Sequence, residues 1–247
     1  MSFTDVLLLA IVTVAFATET AIGFGATLIA VSLGSFLRPI DELLYAFVPL
    51  NVALSAAVVL RARGHIDGRL LGRQVLPAMA LGLPIGLFAF ARLPIRISKT
   101  ALGVFVLGLA ALEIVKMVRA REERKEEPLP RPLAIAMLVL GGVVHGAFAT
   151  GGPPVVYVCG RLVRDKRVFR ATLSTLWLVL GLVLLAVYAQ GGHLGTGSLR
   201  LSALLAPGLV LGLILGEIAH GRIPERAFRA TVFVMLAAVG ATLAIRA

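Results

Sequence analysis

Cysteine, acidic side chains and long polar stretches are all scarce in this chain, and each scarcity removes a class of function. Cys159 is the only cysteine, so no internal disulfide and no cysteine metal cluster can form. The four histidines, His65, His145, His193 and His220, are scattered without the spacing of a ligand set, and no metal is expected. Charged residues are only 15% of the chain and 59% is hydrophobic, against about 25% and 45–50% in an average soluble domain. A soluble fold of this composition would have more apolar surface than it could bury. No nucleophile–base pair falls in the apolar segments, so an enzyme is not expected, nor is a cofactor. The N-terminus has Asp5 in place of a basic leader region and no small-residue cleavage site, so it reads as a first membrane element.

What is present is a succession of apolar runs long enough to span a bilayer. Candidate segments are 6–37, 43–60, 70–91, 96–118, 133–160, 171–190, 199–219 and 227–246. The net charge of +11 points to lipid headgroups, not nucleic acid, because the basic residues sit in short loops between spans.

The chain reads as two copies of one unit. Leu81-Gly82-Leu83-Pro84-Ile85-Gly86 aligns with Leu211-Gly212-Leu213-Ile214-Leu215-Gly216 at a shift of 130, which also pairs Pro77 with Pro207 and Arg92-Leu93-Pro94 with Arg222-Ile223-Pro224. Gly64-His65-Ile66 matches Gly192-His193-Leu194 at a shift of 128. The expected division is 1–118 as first repeat, 119–132 as a charged cytoplasmic linker and 133–247 as second repeat. Gly82-x-x-x-Gly86 and Gly212-x-x-x-Gly216 read as small-xxx-small packing motifs.

Two glycine-rich motifs interrupt the longest apolar segments: Gly23-Phe24-Gly25 in the first and Gly151-Gly152-Pro153-Pro154 in the second. Broken backbone at membrane depth persists only where protein or a wet cavity satisfies it, and paired interruptions mark a transporter's binding site. Segments 6–37 and 133–160 are too long for one span of about 20 residues and too short for two. If each is a single broken crossing, Lys and Arg divide evenly, 12 on each side. If each is a hairpin, they divide 18 to 6, as the positive-inside rule requires. The hairpin reading is preferred. It gives an all-α polytopic membrane protein whose inverted repeats each hold a broken hairpin and three transmembrane helices.

With these motifs, and with Leu-Gly-x-x-x-Gly followed by Arg-x-Pro in each half, the chain resembles the TauE/SafE family of sulfite and organosulfur-anion exporters. The first motif departs from the family's richer form, since Ala26 and Thr27 stand where a further glycine is common. The resemblance implies export of a small anion such as sulfite or sulfoacetate across the bacterial inner membrane. The residues support anion handling by themselves. Each break begins a new helix whose free N–H groups and positive dipole end form an anion site. Pro153 or Pro154 suits its first turn. The substrate-binding candidates are Gly23, Phe24, Gly25, Asn51, His145, Thr150, Gly151, Gly152, Pro153 and Trp177. Glu19 and His145 are the proton-coupling candidates, as ionisable groups inside apolar segments. Ser174 and Thr175 are further donors unless they bond their own backbone. Glu113 is expected to pair with Lys116 and Glu217 with His220, and Arg170 to anchor a helix end. Expected partners are the anion, membrane lipid, protons as coupling ion and a second copy in a homodimer. A passive anion channel and a carrier of small carboxylates are the alternatives.

Overall fold

The computed structural model describes residues 2–119, 129–163 and 165–222, and two isolated positions, 237 and 241. The expected segment 227–246 and most of the linker lie outside the described residues. Everything regular among them is helical. The helices are α1 (Phe3–Ile22), α2 (Ala26–Gly34), α3 (Ile40–Ala62), α4 (Gly68–Arg92), α5 (Ile95–Arg119), α6 (Arg131–Phe148), α7 (Gly152–Leu162), α8 (Lys166–Gln190) and α9 (Thr196–Arg222). Six of them, α1, α3, α4, α6, α8 and α9, are long and apolar enough to cross a membrane.

Local chemistry sets the ends. Ser2 and Asp5 form a reciprocal capping box at the start of α1, with bonds of 3.2 and 2.9 Å. Asp165 caps α8 by accepting the amides of Arg167 and Val168. Those two amides hold the Asp165 carboxyl below its ordinary value. In α4 the residues Leu71–Val75 form a π-helical turn just before Pro77. Proline has no N–H and crowds the carbonyl four residues back, and the wider turn relieves that conflict.

Segments 6–37 and 133–160 each double back. Asp5, at the start of α1, forms an ion pair of 3.1 Å with Arg38, just after α2. A Cβ on Gly34 would touch Leu8, so α2 returns along α1. In the second segment, Arg131 at the start of α6 and Leu162 at the end of α7 line one groove together with Arg73. The two hairpins open to opposite ends of the molecule. α3 has 23 residues and is therefore about 34 Å long, which separates Arg38 from the α3–α4 turn. At the far end that turn meets the start of α8, where Asp67 N–H donates to Thr172 Oγ1 at 2.9 Å. At the Arg38 end, Tyr45 stacks on His193 of the α8–α9 turn, and Ser202 donates to Ala46 O.

The helices pair crosswise. α1 packs on α9, α6 packs on α4, and α3 packs on α8. The repeated glycines explain the first two pairings. A Cβ on Gly82 or Gly86 would overlap the backbone carbonyl of Val139 or Val143 on α6. On α9, a Cβ on Gly212 would lie 2.6 Å from Phe16 Cβ, and one on Gly216 would lie 2.6 Å from Ala17 O. These glycines work as backbone-to-backbone packing surfaces. Around them Phe16 and Phe47 stack at 4.7 Å, among the most deeply buried side chains.

Candidate functional site

The first break is made by two glycines in the left-handed region, Gly23 at φ 90° and Gly25 at φ 105°. Other L-residues occupy that region at a cost of about 1–2 kcal/mol. Gly23 N–H closes α1 on Glu19 O at 2.7 Å. Gly25 begins α2 with no side chain of its own to cap it. The cap comes from the previous helix: Glu19, buried, accepts Ala26 N–H on Oε2 at 3.0 Å. A carboxyl group thus occupies the positive end of α2. The next two amides, of Thr27 and Leu28, have no intrahelical acceptor, as in any first helical turn.

The second break turns at Ala149, φ 51°, the one non-glycine residue with positive φ among those described. Its N–H bonds His145 O at 2.7 Å. Here too a side chain reaches over the break, since Gly151 N–H donates to His145 Nδ1 at 3.4 Å. Accepting on Nδ1 places the proton of the neutral ring on Nε2. That Nε2 is buried and has no partner. α7 follows with Pro153 in its first turn, where the missing N–H costs nothing. Thr150 is buried between the two helices.

Trp177 joins the breaks. It is the twelfth of the 25 residues of α8, at the middle of that helix. Its indole N–H donates to Gly23 O at 2.9 Å. Its ring stacks on His145 with centroids 5.6 Å apart and planes 17° from parallel. Phe24 lies against the start of α7, for a Cβ on Gly152 would be 3.3 Å from its Cδ2. Residues 128 apart in sequence therefore meet at mid-height of α8.

Most of the residues singled out by sequence gather here, but not all in the expected role. Asn51 sits on α3, which packs along α8, and its Oδ1 is buried without a partner. Thr175 donates to Ala171 O and so is spent on its own helix. Ser174 is buried on the same helix. Glu217 pairs with Arg170, and the ion pair ties α9 to α8; its expected partner, His220, has its side chain outside the described residues. A carboxylate on α9 reaches across to α8 because the helices are neighbours in space, which sequence spacing does not reveal. The side chains of Glu113 and Lys116 also lie outside the described residues. One further feature is not among those singled out by sequence. Thr20 Oγ1, next to Glu19, is buried without a partner, and a hydroxyl beside an intramembrane carboxyl is the signal that could have found it. Arg170 lies beside the first break, with its Cα 3.3 Å from where a Cβ on Gly23 would stand.

The assembled geometry offers the amides of Thr27 and Leu28, which lack intrahelical acceptors, the Nε2 of His145 and the Glu19 carboxyl at a helix end. Over residues 7–243 the chain matches the family described as Sulfite exporter TauE/SafE. The chain belongs to that family. It is 29% identical over 170 residues, 68% of this chain and 69% of the other, to the probable inner membrane transporter protein TsaS of Comamonas testosteroni. No solved structure matches. The molecule is thus a multi-pass membrane transporter.

Proposed function

We propose that this protein is a secondary transporter that exports a small organosulfur anion or sulfite across the inner membrane. The anion binds between the two breaks, and its movement is coupled to protonation of Glu19. One observation carries the reading: Glu19 places its own carboxylate on the N-terminus of α2. A helix N-terminus favours negative charge and hydrogen-bonds to it. A carboxylate and a sulfonate or sulfite are rival occupants of such an end. When Glu19 is protonated the rivalry of charges ends, and the helix end, with the amides of Thr27 and Leu28, is open to the substrate. His145 Nε2 and the edge of Trp177 complete the site from the second break. Substrate binding and proton uptake are then linked at one position. A permanent buried Lys or Arg is not needed.

The crossed packing, the opposed hairpins and the 18-to-6 division of basic residues support reading 1–118 and 133–247 as inverted repeats around a cytoplasmic 119–132 linker. In a Cys159→Ala background, single cysteines at Gly64 and Val163 should both label from the cytoplasm. Labelling from opposite faces would overturn the topology.

The function is tested with purified protein in proteoliposomes. Sulfite, sulfoacetate, other sulfonates, sulfate and small carboxylates are offered with and without an imposed pH gradient. Saturable transport of a sulfur anion, accelerated by the gradient, is expected. Linear flow indifferent to the gradient would mark a passive channel, and preference for carboxylates would move the substrate class.

A further inference from the structure

A groove of about 580 Å3 lies on the outer face of α4, α6 and α7, away from both breaks. Its polar wall consists of Arg73, Gln74 and Arg131, and no acidic residue lines it among the described residues. Arg73 and Gln74 belong to the π-helical turn before Pro77, so the widened turn sets the position of that wall. Neither guanidinium has a carboxylate partner among the described residues. The rest of the lining is apolar. Leu81, Ile135 and Leu162 are 68, 44 and 42% exposed. Leu138 and Val158 form a buried floor. Beyond that floor α6 and α7 close on each other, with a Cβ on Gly141 placed 3.0 Å from Val155 Cγ2. No residue of either break lines the groove.

We propose that this groove is a binding site for one anionic phospholipid, its phosphate held between Arg73 and Arg131 and its acyl chain along Leu81 and Ile135. Charge complementarity selects this occupant. Two cations with no carboxylate partner among the described residues, beside an apolar slot, match a molecule with a negative head and a hydrocarbon tail. The arginines stand at the end of the molecule where the linker emerges, at headgroup level, and arginine suits phosphate because its planar fork binds two oxygens at once. Basic pockets between membrane helices attract anionic headgroups in this way. A zwitterionic lipid brings a compensating cation and gains less. A free anion leaves the slot unfilled. The bound lipid would bridge α4 to the α6–α7 hairpin, which otherwise meet through the glycine surfaces of Gly82 and Gly86.

The test uses the full chain purified in mild detergent, with phosphatidylglycerol and phosphatidylethanolamine as probes and native mass spectrometry as the readout. One phosphatidylglycerol should be retained per chain and phosphatidylethanolamine should not. Arg73→Gln/Arg131→Gln should lower retention at least fivefold, while Arg73→Lys/Arg131→Lys should keep most of it. Arg61→Gln/Arg69→Gln, which removes equal charge outside the groove, should leave retention unchanged. A phosphatidylglycerol-dependent rise in Tm, present in the wild type and absent in Arg73→Gln/Arg131→Gln, separates lost binding from lost folding. Equal retention by Arg73→Gln/Arg131→Gln and wild type would overturn the proposal. Displacement of the lipid by millimolar inorganic phosphate or sulfite would also overturn it, because the groove would then be an ion site. Transport need not be measured, so this result stands apart from the function proposed above.

Discussion

At the first break a carboxylate reaches across to the next helix, and at the second an imidazole does. Glu19 accepts Ala26 N–H at 3.0 Å, and His145 accepts Gly151 N–H at 3.4 Å. Both side chains leave the last turns of a hairpin's long helix, and both contact the chain near the start of its short one. The backbones differ as much as the caps. Two glycines at positive φ make the first turn, whereas Ala149 makes the second and prolines follow. Under the proposed function, the difference lets one site serve both an anion and a proton. Glu19 is an acid whose carboxyl lies on a helix N-terminus, while His145 has a backbone donor on Nδ1 and a buried Nε2 without a partner. On that proposal the first break excludes the anion conditionally and the second holds it.

The largest effect should come from erasing the rivalry at the first break. Glu19→Gln keeps the shape and still offers an oxygen to Ala26 N–H, but it cannot titrate. Substrate binding, measured in detergent, should persist and lose its pH dependence. Acceleration of proteoliposome transport by a pH gradient should fall at least tenfold. Full gradient-driven transport by this variant would make Glu19 structural and shift the coupling role to His145. His145→Gln is predicted to behave differently, weakening binding at every pH.

Next in size is a methyl group at each break. A Cβ on Gly151 would lie 2.5 Å from Gly141 O and 2.9 Å from Met79 Cε, with φ in the ordinary region at −85°. Crowding of this kind costs about 1–3 kcal/mol, here toward the upper end because a backbone carbonyl is involved. A Cβ on Gly25 would have space, its nearest neighbour being Thr18 Cγ2 at 3.6 Å, but the φ of 105° strains it. Gly25→Ala should therefore cost about 1–2 kcal/mol, from the backbone alone. Thermal unfolding in detergent checks the order. A larger loss of Tm in Gly25→Ala than in Gly151→Ala would contradict these origins. The bulkier Gly151→Val and Gly25→Val should both abolish transport while the protein still inserts.

A smaller effect is expected where the two breaks are tied together. Trp177→Phe keeps a ring against His145 and removes the N–H that Gly23 O accepts. A buried carbonyl left without its donor costs about 1–3 kcal/mol. Tm should fall accordingly, with a several-fold rise in KM and little change in kcat if the tie only positions the first break. An unchanged KM would separate Trp177 from the site.

Much of this arrangement is legible in the amino-acid sequence. The glycine and proline interruptions mark the breaks, and the hairpin reading rests on the arginines and lysines, whose 18-to-6 division a single-crossing path does not produce. The glycine pairs of α4 and α9 read as packing surfaces, and they pack. What sequence does not supply is partnership between distant residues. Nothing in the spacing of Trp177 and Gly23 announces a hydrogen bond across 154 positions. Helical periodicity offers Glu217 only the residues of its own helix, such as His220, and its partner lies on another. The caps by Glu19 and His145 escape for a related reason. Capping rules look one to three residues from a helix start, and these side chains come from six or seven residues before the amides they bond.

The smallest effect, and the finest probe of the contrast between the breaks, is Ala149→Gly. It gives the second turn the residue type of the first. Ala149 at φ 51° bears strain of about 1 kcal/mol, which glycine relieves. Glycine also loses more freedom on folding, by about 0.5–1 kcal/mol, so the two contributions nearly cancel. Tm should move by only a degree or two, and transport should be preserved. The reverse exchange at the first break, Gly23→Ala, meets strain at φ 90° and also the Arg170 backbone at 3.3 Å, and it should destabilise clearly. If instead Ala149→Gly loses transport at unchanged Tm, the Ala149 methyl contacts the anion. The two breaks would then differ in the surface they present to the substrate as well as in the side chains that cap them.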